Sequence, residues 1–163
     1  MKVVIHLAFL ISMLFISTVN SQMLTSFEKF SEMEKAIVKE NDTLYVVNFW
    51  ATWCGPCVKE LPHFETFTQQ TKGQKIKVIL VSLDFKNQVE TQLKPFLRKK
   101  NYTSEVVYLA DKDYNTWLSK VDTDWSGSIP ATWLIKGTRR LFKESDFENA
   151  DELHQFVNSF NNQ

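Results

Sequence analysis

Two cysteines occur in the whole chain, Cys54 and Cys57, and only two residues separate them. A bridge between them closes a very small ring. Such a ring removes little entropy from the unfolded chain and adds little stability. Chemistry therefore explains the pair better than stapling does, because secreted domains braced by disulfides carry four or more cysteines. The chemistry open to the pair is thiol–disulfide exchange. One thiolate attacks a disulfide, a mixed disulfide forms, and the second cysteine resolves it. Zinc would need two further ligands, and only His63, His154 and carboxylates are candidates. No histidine follows the second cysteine, which excludes c-type haem attachment. No metal and no cofactor is expected.

These residues need a strand that ends, a turn, and a helix that begins at the cysteines. Leu44 to Trp50 is a short apolar run that reads as a buried strand. Pro56 suits the first turn of a helix, which Leu61, Phe64 and Phe67 carry on to about Gln70. At a helix N-terminus free N–H groups and the dipole favour a thiolate. Cys54, at the helix mouth, is then the nucleophile and Cys57, one turn in, the resolving thiol. Gly55 and Pro56 let the ring close and hold the turn. Trp53 is expected over the site, offering apolar surface to a substrate. Trp50 is expected in the core, and Trp125 either lines a substrate groove or caps the core.

Around this unit Ser26 is a candidate N-cap for a first helix ending near Glu40. Further strands are expected over Ile76 to Leu83, Ser104 to Leu109, Ala131 to Ile135 and Arg139 to Lys143. Helices are expected over Gln88 to Lys100, Asp113 to Val121 and Glu148 to Phe160, the first weakened by Pro95. Alternating β and α, then a hairpin and a last helix, give an α/β sandwich with a mixed central sheet.

The chain has 163 residues, 44% hydrophobic and 13% aromatic, which fits one globular domain and argues against disorder. Its 19 basic residues balance 19 acidic ones, which disfavours nucleic acid as a partner. Lys2 followed by the mostly apolar stretch to Val19 reads as a signal peptide over residues 1–21, cleaved before Gln22. An uncleaved anchor is the alternative. The remainder, 22–163, is then one domain, periplasmic or secreted and expected to be a monomer.

The segment Asn48-Phe49-Trp50-Ala51-Thr52-Trp53-Cys54-Gly55-Pro56-Cys57, followed by Val-Lys-Glu-Leu-Pro, resembles the TlpA/ResA group of the thioredoxin superfamily. The resemblance implies a thioredoxin-like three-layer sandwich, with an extra strand and helix between Gln74 and Ala110. It implies that Pro130, in Ser128-Ile129-Pro130-Ala131-Thr132, is the family's cis-proline, and that the backbone of Ile129 pairs with a substrate polypeptide. Asn48 stands where thioredoxins proper carry a buried, titrating aspartate. Glu60, three residues beyond Cys57 on an adjoining helix face, is the candidate proton handler in its place.

The function implied is reduction of disulfides in envelope proteins, with apocytochrome c as one client, and electrons drawn from a membrane thiol carrier. Net disulfide oxidation or isomerisation, and a redox-switched binding module, use the same residues. A peroxidase would need a threonine three residues before its cysteine in a proline-rich loop, and that context is missing.

Overall fold

The computed structural model describes residues 24–161. The expected signal peptide lies outside them. Among the described residues no helix is long and apolar enough to cross a membrane.

Strand β2 (Leu44–Trp50) is buried on both faces along its whole length, as its apolar run requires. Parallel to it lies β3 (Ile76–Ser82), and beyond that β4 (Glu105–Leu109), also parallel. On the other side β5 (Ala131–Lys136) and β6 (Arg139–Lys143) form an antiparallel hairpin against β2. A short strand, β1 (Thr25–Phe27), completes a six-stranded sheet in the order β1-β4-β3-β2-β5-β6.

Alternation along the strands sorts the core into two layers. Val46 and Trp50 of β2 and Leu134 of β5 face α2 (Gly55–Gln70) and α5 (Ala150–Asn161), meeting Leu61, Phe64, Leu153 and Phe160. Tyr45, Val47 and Phe49 face α1 (Phe30–Ile37) and α4 (Tyr114–Val121), meeting Phe30, Met33 and Trp117. Trp117 stacks on Phe30 with ring centroids 4.9 Å apart. The architecture is the expected three-layer sandwich with a mixed sheet.

Three local readings are corrected. Ser26 is not a helix N-cap: Thr25–Phe27 pairs with Val107–Leu109 as the edge strand β1, and the helix starts at Phe30. The capping acceptor comes from far along the chain, where the buried Asp111 carboxylate accepts the Phe30 N–H at 3.0 Å. The expected helix over Gln88 to Lys100 is three pieces. A 3₁₀ turn at Lys86–Gln88 and a π-helical turn at Val89–Leu93 precede α3 (Lys94–Lys100). Pro95 has no N–H to continue an α ladder, and the Lys94 N–H instead reaches the carbonyl of Val89. The last helix begins at Ala150, two residues later than expected.

Candidate active site

The chain leaves β2 at Trp50, turns through 51–53 and enters α2 at Gly55, with Cys54 as N-cap residue. A buried carboxylate holds this turn. Asp84, just past β3, accepts the Thr52 N–H at 3.1 and 3.2 Å, the Thr52 hydroxyl, and the Ser82 hydroxyl at 2.7 Å. The Leu83 N–H donates to the Trp50 carbonyl at 2.8 Å, which ties the ends of β2 and β3 together beneath the turn.

Cys54 and Cys57 are joined as a disulfide, with Cα atoms 5.3 Å apart. Cys57 is fully buried, while Cys54 keeps 6% of its surface open, so a partner can reach only Cys54. The Cys54 sulfur accepts the Cys57 N–H at 3.3 Å, one of the free donors of the helix N-terminus. That donor and the helix dipole favour negative charge on Cys54 once the bond is opened. The Ile129 carbonyl lies 3.7 Å from the same sulfur, and the Ile129–Pro130 bond is cis. Pro130 is buried, Ile129 half-buried, and Gly55 and Pro56 are exposed in the first turn of α2.

Glu60 sits one helical turn inside Cys57 and is 1% exposed. Asn48 faces it from β2, because even-numbered β2 residues point toward α2. The Asn48 Nδ2 donates to Glu60 Oε1 at 2.8 Å and to the Thr132 hydroxyl at 3.2 Å. The Phe147 N–H donates to Glu60 Oε2 at 2.9 Å. Burial raises the Glu60 pKa to about 7, against the pull of these two donors. A buried group that titrates near neutrality can take or release a proton there.

Trp53 is 49% exposed and Phe85 51%, and among the described residues they are the exposed large apolar side chains. Their rings stack at 5.8 Å beside the cysteine turn, with the Lys112 ammonium 5.5 Å from the Phe85 ring centre. Trp125 caps the core: its ring packs 4.8 Å from Phe49, and its Nε1 donates to the Ser128 carbonyl at 2.8 Å. Trp50 is fully buried. Among the described residues no three His, Cys, Asp or Glu side chains form a metal-holding group.

Asp84, Phe85 and Phe147 had no signal in the sequence. Asp84 is one acidic residue after a strand, and Phe147 contributes through its backbone. Each acquires its place only when β3 and the β6–α5 connection are folded against α2.

A thioredoxin-like sheet with a Cys-x-x-Cys disulfide at a helix mouth, beside a cis-proline, defines the class of thiol–disulfide oxidoreductase folds. Residues 23–141 match the AhpC/TSA family, and the chain belongs to it. It is 32% identical over 72 residues to a thioredoxin of Malassezia sympodialis, a match covering 44% of this chain and 64% of that protein. It is 31% identical over 91 residues to the thiol-disulfide oxidoreductase ResA of Oceanobacillus iheyensis, covering 56% of this chain and 43% of that protein. The matches thus span less than two thirds of these relatives' own lengths. Among solved structures StoA from Bacillus subtilis superposes with a TM-score of 0.56 at 22% identity, over 72% of this chain and 84% of that one. That similarity is one of fold.

Proposed function

We propose that this protein reduces disulfides in polypeptide clients by exchange through Cys54 and Cys57. The observation that carries the reading is the disulfide itself, with its one accessible sulfur capping α2 and facing the Ile129 carbonyl. In the reduced protein the Cys54 thiolate attacks one sulfur of the client disulfide. A Cys54–client bond forms, the client S–S bond breaks, and the departing client thiolate takes a proton. Cys57 gives its proton to the Glu60 carboxylate and attacks Cys54. The intramolecular disulfide forms and the second client thiolate leaves. Two electrons pass to the client, and an external dithiol must restore the pair.

Trp53, Gly55, Pro56 and Ile129 form the surface on which the client lies, with the Ile129 backbone as its pairing strand and the buried Pro130 packed behind it beside the redox pair. The signal-like residues 1–21 and the relationship to ResA support an envelope or secreted setting. A membrane thiol carrier then supplies the electrons, and the chain works as a monomer. Gly-Pro between the cysteines favours the reducing direction.

Two measurements test this. The Cys57→Ala variant should accumulate mixed disulfides through Cys54, and failure to trap any polypeptide would sink the exchange reading. The reduction potential of the pair should lie near the roughly −270 mV of thioredoxin. A value near the roughly −120 mV of the strongest oxidants of this superfamily would reverse the direction.

A further inference from the structure

The loop between α4 and β5 has no regular structure of its own, yet it must place Ile129 beside Cys54. Two features set its path from within. Gly127 has φ +93°, where a side chain is strained, and a Cβ there would come within 3.2 Å of the Leu118 side chain. The Trp125 indole holds the Ser128 carbonyl from the core side.

The third anchor comes from another element. Glu144, just past β6, accepts the Ser126 N–H at 3.1 Å and the Ser128 N–H at 3.0 Å, and it also accepts the Ser126 hydroxyl. Two peptide donors flanking a glycine thus converge on one carboxylate. The same β6–α5 connection supplies the Phe147 N–H that holds Glu60. No other charged side chain bonds the backbone of residues 126–128 among the described residues.

We propose that Glu144 is a positioning residue for client binding, its carboxylate fixing residues 126–128 so that the Ile129 backbone is already aligned when a client strand arrives. The inference rests on the exchange reading above. Without Glu144 the Ser126 N–H would turn to water, the Ser128 N–H would keep only its 3.3 Å bond to the Ser126 hydroxyl, and the loop would sample other conformations. The client would then have to order it on binding, a cost paid in affinity rather than in the chemical step. Loss of that pre-alignment is expected to raise KM by about tenfold.

The test uses the full chain and its Glu144→Gln and Glu144→Ala variants. Insulin, reduced with dithiothreitol as electron donor, is the polypeptide substrate. Dithiobis(nitrobenzoate), too small to pair with the Ile129 backbone, is followed in single turnover with pre-reduced protein. The inference expects KM for insulin to rise while kcat, the rate with the small disulfide and the reduction potential stay at wild-type values. An unchanged KM, or an equal fall in both reactions, overturns it. Should Glu144→Ala not fold, Glu144→Gln decides, since it keeps the side chain's size and one acceptor oxygen. Wild-type protein that reduces neither substrate would instead overturn the exchange reading, and this inference with it.

Discussion

The distinction between the two sulfurs is one of burial. Cys54 alone is reachable, and Cys57 reacts only with what is already bonded to Cys54. In the proposed exchange its proton passes to Glu60, which is buried one turn away with a pKa raised to about 7 by desolvation. Asn48 cannot titrate, but its amide keeps Glu60 hydrogen-bonded. For Glu60→Gln, the rate at which Cys57 resolves a mixed disulfide should lose a pH step near 7 that the wild type shows. Stopped-flow release of a thiol client across pH 5–9 reads this directly. An identical profile in the variant would remove Glu60 from the mechanism.

At the scale of elements, long-range hydrogen bonds decide where segments begin. Asp111 lies between β4 and α4, and its carboxylate accepts the N–H groups of Phe30 at 3.0 Å and Asp113 at 3.2 Å. Burial resists its ionisation, but those donors and Lys29 hold its pKa below the ordinary aspartate value. Asp111→Ala leaves two backbone donors without their acceptor. It should cost about 1–3 kcal/mol in urea unfolding while leaving insulin reduction intact. A loss of activity without a loss of stability would show that β1 and α1 bear on the site in some other way.

At the scale of the molecule, the buried Glu60 links stability to pH. Its folded pKa, about 7, lies above the ordinary value of 4.5. Below 4.5 it is protonated in both states, and its stabilising contribution is complete. Between there and about 7 the unfolded chain ionises first and stability declines. For the oxidised protein the decline should approach 3 kcal/mol, at ~1.4 kcal/mol per pKa unit. Glu60→Gln should flatten that part of the curve, measured as unfolding free energy at pH 4.5 and pH 8. Equal slopes in both proteins would place the Glu60 pKa near its ordinary value.

Much of this was readable in the linear chain. The apolar runs of β2 and β3, the helical spacing after Pro56, the lone pair of cysteines and the Ile-Pro-Ala-Thr segment are all local, so sequence pattern reaches them. Those features determined the strand–turn–helix unit, the mixed sheet and the redox character of the pair. What only the tertiary structure decided are the contacts between distant segments: β1 at the sheet edge, Asp111 capping Phe30, Asp84 under the cysteine turn, Phe147 on Glu60, and Glu144 on the loop before Pro130. A hydrogen bond across eighty residues leaves no periodicity behind, because one acidic side chain reads the same whether it meets water or a buried N–H.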